Sequence, residues 1–252
     1  MLNLSSISRD TLLGRVLRLP LRSIPASTEI PILQGALKGK KWVVGSSIHR
    51  CWLGFYEATK QRKMGELVRS GMTCYDIGAN VGFYSLLFSS LVGPAGSVVA
   101  FEPLPENAAR LAHHLKINDC RNVTIKQVAV TDFDGFANFR SAEANAMGFL
   151  SDTGDLEVLC CQLDTLGENG QIPPPDLLKL DVEGAEASVL KGAQRVIRTS
   201  RPVIFVATHG AQQHADCSRM LEGLGYEIYS VDERPVRSSD ELLALPSHRE
   251  LY

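Results

Sequence analysis

"YDIGANVGFYSLLFS", Tyr75 to Ser89, is the stretch on which the fold turns. The apolar run "TCYDI" suits a strand. It gives way to a turn holding Gly78 and Gly82, after which Phe83, Leu86, Leu87 and Leu91 recur at helical spacing. Strand, glycine-containing turn and helix together form the unit with which an open α/β sheet holds a cofactor. The turn, Gly78-Ala79-Asn80-Val81-Gly82, is not the dinucleotide pattern G-x-G-x-x-G, because Asn80 stands at the middle glycine and the last spacing is short. Nor does a G-K-[ST] follow, as a phosphate loop requires.

Outward from this turn, short apolar runs alternate with helical patterns. "SVVAFE" reads as a second strand, and Ala108, Leu111, Ala112 and Leu115 mark one helix face. "VTIKQVAV" reads as a third strand. Residues 133–162, with "GFANFRS" and "LEVLCCQ", read as a β-rich, hairpin-like insertion. After "IPPPD" come the strand "LLKLDV", a helix through Val189, Ala193 and Val196, and the strand "RPVIFVATH". A helix carrying Cys217, Met220, Leu221 and Leu224 follows, and "YEIYSV" closes the pattern as a strand. The alternation predicts an α/β, doubly wound, mostly parallel sheet over residues 71–252, preceded by an extension over residues 1–70. Right-handed crossovers place the post-strand loops on one rim, where ligands bind.

The residues of that rim carry the chemistry. A carboxylate at Asp76, just before the turn, would repel a pyrophosphate and attract the amino and sulfonium groups of S-adenosylmethionine. Glu102 ends the second strand, 20 residues after Gly82, where an acid can accept hydrogen bonds from ribose hydroxyls. Its alternative reading is a cap for the helix that begins in "PLPEN". Asp181 and Glu183 are two residues apart at the end of an apolar strand and share a face. Gly184 permits a tight exit, and Glu186 reads as an acid of the first helical turn. His209 takes the matching position after "VIFVAT"; His113 and His114 read as surface residues of a helix.

A formal charge of -2 over 252 residues gives no bulk attraction to nucleic acid. No apolar run reaches the roughly 20 residues of a membrane span. The segment "SRDTLLGRVLRLPLRSIP" reads as an arm or a packed helix, with membrane-surface contact as its alternative. Six cysteines without a C-x-x-C pair point to reduced core thiols and a cytoplasmic setting. Cys160 and Cys161, adjacent in a strand, should face opposite sides and form no disulfide.

The segments "LGFYEATK", "YDIGANVGFYS", "AFEPLPEN" and "LLKLDVEGAEASVLKGA" resemble the FkbM family of S-adenosylmethionine-dependent methyltransferases over roughly residues 50 to 230. The resemblance implies a class I, Rossmann-like methyltransferase fold with a seven-stranded sheet. It also implies O-methylation of a hydroxyl on a sugar, polyketide or other secondary metabolite, so that the partner is a small-molecule or glycan acceptor. Asp76, Gly78, Asn80 and Gly82 match the family's cofactor turn, Glu102 with Pro103 matches the ribose segment, and Asp181 and Glu183 match the active-site rim. Tyr56 and Glu57 match a G-x-Y-E segment. The family commonly has a Glu two residues before the His after the fifth strand, where this chain has Ala207.

Methyl transfer from a sulfonium needs in-line placement and removal of the acceptor's proton. Asp181 and His209 are the expected catalytic pair. Asp181, Glu183 and His209 would hold a hard cation only loosely. With Ala207 in place of an acid, the expectation is transfer that does not require a metal. The acceptor is expected over residues 133–155 or from the N-terminal segment. The rival readings are an NAD-dependent oxidoreductase, which needs a phosphate-friendly turn; a nucleic-acid methyltransferase, which lacks its N-P-P-[YF] here; and a non-catalytic protein with a cofactor fold.

Overall fold

The computed structural model describes residues 24–141, 148–150, 154, 156–232 and 234–247. The basic N-terminal segment lies almost wholly outside these residues, as does part of the insertion near 133–162. The chain forms two compact units, Met1–Ala58 and Thr59–Tyr252. In the first, strand β1 (Glu29–Pro31) pairs antiparallel with β2 (Lys41–Val43), and a short helix α1 (His49–Leu53) follows. Trp42 and Trp52 are buried in it, and the Trp52 indole donates to His49 Nδ1 at 3.0 Å.

The second unit begins with helix α2 (Ala58–Leu67), which the chain enters at the boundary. Its main sheet starts with β3 (Thr73–Ile77), followed by α3 (Phe83–Val92), β4 (Ser97–Phe101), α4 (Pro105–Ile117) and β5 (Val123–Lys126). The chain then crosses back to β10 (Leu177–Leu180) and β11 (Val203–Ala207), and finishes with β12 (Tyr226–Ser230) and β13 (Glu241–Pro246). The order across this seven-stranded sheet is β12-β13-β11-β10-β3-β4-β5. Strand β13 runs antiparallel to both its neighbours, while β11, β10, β3, β4 and β5 are mutually parallel. All residues of β10 and β11 are buried, as expected of parallel strands with helices on both faces. The order reverses between β3 and β10, where Ile77 pairs with Leu180, so the crevice beyond those strand ends is the switch point.

A second, four-stranded sheet has the order β6-β9-β7-β8, formed by β6 (Ala129–Val130), β7 (Gly135–Ser141), β8 (Gly148–Leu150) and β9 (Leu156–Cys161). Cys160 is fully buried in β9 and Cys161 is not, so the two face opposite sides. All six cysteines are free. Burial pushes the Cys51 and Cys217 thiols up to about 12, which keeps them protonated and unreactive.

Three local readings are corrected. "VTIKQVAV" is two strands: the Val128 N–H turns back onto the Lys126 carbonyl at 2.9 Å, and β6 leaves the main sheet to pair with β9. The helix expected through Val189 and Val196 is split into α6 (Glu186–Lys191) and α7 (Gln194–Ser200), following α5 (Leu163–Glu168). Between them Gly192 packs against the Thr131 carbonyl, where any Cβ would collide. "YEIYSV" does not close the fold. After α8 (Ala211–Gly223) and β12, the chain turns back and inserts β13 between β12 and β11. Among the described residues, no helix is long and apolar enough to cross a membrane.

Candidate functional site

The turn after β3 is closed upon itself. The N–H groups of Gly78 and Ala79 donate to the Phe101 carbonyl at 3.1 and 2.9 Å. Asn80 N–H donates to Glu102 Oε2 at 2.8 Å, Val81 N–H to Asn80 Oδ1 at 2.7 Å, and Gly82 N–H to the Ala79 carbonyl at 2.9 Å. All five amides of the turn thus have acceptors inside the protein, whereas a phosphate cradle works by presenting such amides to an anion. Asn80 has φ +48, a left-handed geometry that Asn tolerates because its side chain bonds locally. His114, read from sequence as a surface residue, is fully buried beneath this turn, and its Nδ1 donates to the Val81 carbonyl at 2.7 Å. Helical periodicity placed His114 beside His113, but the two point to different faces of α4, and only His113 is exposed.

Asp76 is also fully buried and does not face the turn's contents as a bare charge. Its Oδ1 lies 3.0 Å from the Lys179 ammonium, and Oδ2 accepts from Ser85 at 2.7 Å. Lys179 donates to the Gly78 carbonyl at 2.9 Å and stands 5.4 Å from the centre of the Tyr84 ring. Burial pulls the Lys179 pKa down, but Asp76 and Asp181 outweigh it and the net shift is upward. Lys60, also buried, lies 5.4 Å from the same ring and pairs with Glu241 at 2.7 Å. The pair Asp76–Lys179 therefore supports the turn from below. The attraction first ascribed to Asp76 is largely neutralised.

Glu102 does not cap the first-turn amides of α4, which has no side-chain cap; it ties the residue before that helix to the cofactor-type turn. Oε1 accepts from Leu104 N–H at 3.0 Å and from Asn107 Nδ2 at 3.3 Å, while Oε2 accepts from Asn80. Burial raises its pKa, and these hydrogen bonds oppose the shift. A carboxylate has about four lone-pair sites, so three donors leave capacity for a further hydroxyl.

Across the switch point, the ends of β10 and β11 bring Asp181, Glu183 and His209 together. His209 Nε2 lies 3.3 Å from Glu183 Oε2 and 3.8 Å from Asp181 Oδ1. His209 Nδ1 donates to Glu186 Oε1 at 2.8 Å. Glu186 is fully buried at the start of α6, and the same oxygen accepts from Gly184 N–H at 3.0 Å. The first-turn reading of Glu186 is thus half of its role, and its hold on the imidazole is the half that sequence missed. The Glu186 hydrogen bond, working against burial and aided by the other two acids, lifts the His209 pKa to about 9. Burial, together with Asp181 and Glu186, raises Glu183. For Glu186, burial is outweighed by His209 and the Gly184 amide, and its pKa falls. The connecting loop carries Glu183 at φ +55, and Gln213 of α8 clamps it by donating to the Gly184 carbonyl and accepting from Ala187 N–H.

The turn and the cluster touch through backbone. Gly78 approaches the Asp181 carbonyl so closely that a Cβ there would collide with it, and Asp181 N–H donates to the Ile77 carbonyl at 3.1 Å. Ala207, at the position of the missing acid, pairs in register with Glu241 of β13, whose carboxylate holds Lys60. Lys179, Lys60 and Tyr84 are the participants that sequence reading passed over. For Lys179 a signal existed, because a lysine inside "LLKL" must be paired if the strand is buried.

Residues 76–228 match the methyltransferase FkbM domain. Hexuronic acid methyltransferase AglP of Haloferax volcanii is 28% identical over 149 residues, covering 58% of this chain and 60% of that protein. The chain thus aligns with less than two thirds of that relative. An S-adenosylmethionine-dependent O-methyltransferase from Thermotoga maritima superposes with a TM-score of 0.52 at 15% identity, over 92% of this chain and 82% of that one. A methyltransferase FkbM structure from Methylobacillus flagellatus gives 0.49 at 17% identity, over 78% and 53%. The superposed fold is that of class I methyltransferases, and with more than half of its residues inside the matched domain the chain belongs to the methyltransferase FkbM family.

Proposed function

We propose that the protein transfers a methyl group from S-adenosylmethionine to an oxygen of a sugar-class acceptor. The observation that carries this reading is the backbone contact between the Gly78 turn and Asp181, which sets a cofactor-type turn directly beside a cluster of acids around an imidazole. In this reading Gly78, Asn80 and Gly82 shape the cofactor's seat, Glu102 and Pro103 border its ribose, and Asp76 holds the turn from below through Lys179. Asp181 faces the acceptor and takes up its proton as the methyl moves, while His209, held protonated by the surrounding acids, orients the acceptor by donating from Nε2. Because the turn's five amides are all engaged, a pyrophosphate finds no donors there, which argues against a nicotinamide cofactor. The sugar class is favoured by the Haloferax relative, and a uronic acid offers both hydroxyl and carboxylate oxygens as targets.

Calorimetry should show binding of S-adenosylmethionine and S-adenosylhomocysteine and none of NAD. Turnover should appear as S-adenosylhomocysteine released in the presence of uronic acids or uronic-acid-containing glycans. Asp181→Asn should lower turnover by about 10² to 10⁴, the range of a lost general base, while cofactor affinity stays within a few-fold. NAD binding without S-adenosylmethionine binding would overturn the reading.

A further inference from the structure

The seven-stranded sheet has two edges, and they are finished differently. Strand β5 is short, ends on Lys126 and is turned away at once, since the Val128 N–H folds back onto the Lys126 carbonyl at 2.9 Å. A short strand, a lysine and a diverted chain are devices that keep an edge from pairing with another molecule. Strand β12 carries neither Lys nor Pro. Each of its residues pairs with β13 in one unbroken register, so no bulge twists it away. Among the described residues, no strand lies on its other side.

The hydrogen bonds fix what that edge offers. Val231 N–H donates to the Glu241 carbonyl, and Ser247 N–H to the Gly225 carbonyl, each at 3.0 Å. Antiparallel bonding alternates along a strand, so between these points Glu227 and Tyr229 bond to β13, while Ile228 and Ser230 turn their N–H and C=O outward. The side chains alternate as well. Ile228 packs toward the core, whereas Glu227 and Tyr229 are exposed on the other face, Tyr229 by 45%. The Tyr229 hydroxyl donates to Glu227 Oε2 at 2.6 Å.

We propose that β12 is a dimerisation edge, pairing antiparallel with β12 of a second copy of this chain about a two-fold axis at Ile228. An axis there requires outward backbone groups at the central residue, and Ile228 has them. It exchanges both of its bonds with the partner's Ile228. The same register sets Glu227 opposite the partner's Tyr229, in the closer type of pair, with Cα atoms about 4.5 Å apart. The acid and the hydroxyl that satisfy each other within one strand are thereby matched between strands as well, and symmetry repeats the match. The neighbouring register, with its axis at Glu227, would set two carboxylates against each other, which is destabilising.

This self-complementarity favours a second copy over an unrelated extended peptide. It also limits the assembly. With β5 defended and β12 used, the contact closes into a pair and does not propagate. Strand β12 runs parallel to β11, β10 and β3, because β13 is antiparallel to both its neighbours. The crevices of the two copies therefore open at opposite ends of the joined sheet, and each site stays whole within one chain. The inference is independent of the methyl-transfer reading.

Sedimentation equilibrium of the full chain tests it. A strand pair buries less than a standard interface of about 1,600 Å², so monomer should pass to dimer between about 1 and 200 µM. Tyr229→Glu sets acid against acid at both symmetric positions and should weaken the dimer by about tenfold or more. Adding Glu227→Lys to that variant makes both contacts pairs of opposite charge and should restore the dimer. Both side chains are exposed, so the melting temperatures measured at concentrations where every variant is monomeric should agree. A parent chain that stays monomeric at about 200 µM, a dimer indifferent to Tyr229→Glu, or a loss that Glu227→Lys does not reverse would overturn the proposed edge.

Discussion

The two banks of the switch-point crevice are built on opposite principles. On the β3–β4 bank every charge is internally matched: Asp76 by Lys179 and Ser85, and Glu102 by two backbone amides and Asn107. These side chains are almost entirely buried. On the β10–β11 bank, Asp181, Glu183 and Glu186 surround one partly exposed imidazole, and negative charge is in excess. The first bank is finished before any ligand arrives. The second is incomplete without positive charge or a polar guest. Preorganisation is useful where a molecule of fixed shape must seat, and unbalanced charge is useful where protons or ions are exchanged.

Disturbing the finished bank should therefore cost stability, and disturbing the unfinished one should cost function. The largest effect is expected at Lys179. Lys179→Met strands the buried Asp76 carboxylate and should destabilise the fold by about 3–5 kcal/mol, read from the denaturant midpoint. A loss below about 1 kcal/mol would show that Asp76 is not held by this pair. Next, Glu102→Ala removes the acceptor of the Asn80 and Leu104 amides and should weaken S-adenosylmethionine binding by about 1.5–3 kcal/mol. Unchanged affinity with an intact fold would take Glu102 out of the cofactor's seat.

His114→Leu leaves the Val81 carbonyl without its donor and should cost about 1–3 kcal/mol of stability. On the opposite bank His209→Gln puts an amide that can still donate to the buried Glu186 carboxylate, so it should lower the melting temperature less than His114→Leu. The smallest effect is expected at a site belonging to neither bank. Burial raises the Asp232 pKa, but hydrogen bonds from Ser230, Arg234 and Ser239 outweigh it and hold the pKa at about 2. A depressed folded-state value means that its stabilisation is present above the ordinary carboxylate range and is lost as pH falls toward 2. Asp232→Asn should thus lower stability slightly at neutral pH, with the difference from the parent shrinking in acid. A gap that persists at pH 2 would assign the effect to packing.

The parallel strands and the turn were legible because their signals are local. Periodicity marks β3, β4, β10 and β11, and the spacing of Gly78, Asn80 and Gly82 marks the turn. Strand β13 was not, because "ELLALP" is a short apolar run whose place between β11 and β12 is set by long-range pairing. The same division runs through the site. Asp181, Glu183 and His209 could be chosen because each follows a strand, and strand ends share a rim. Glu186 and Lys179 could not be given partners, because a pair joins residues from different elements. For Asp76 likewise, the sequence displays its charge but not the ammonium of Lys179 that lies 3.0 Å away.

The contact between Gly78 and the Asp181 carbonyl also sets a tolerance. With hydrogen as the only side chain between the two backbones, the spacing of the banks has no adjustable part: no rotamer can flex and no side chain can be trimmed or lengthened to retune it. In-line transfer reactions lose about 10²-fold for a misplacement of roughly 1 Å. Gly78→Ala inserts a methyl group at this joint, so its cost in rate should exceed its cost in cofactor affinity. Under the proposed methyl transfer, a different acceptor would have to be accommodated by what lines the crevice rather than by its width.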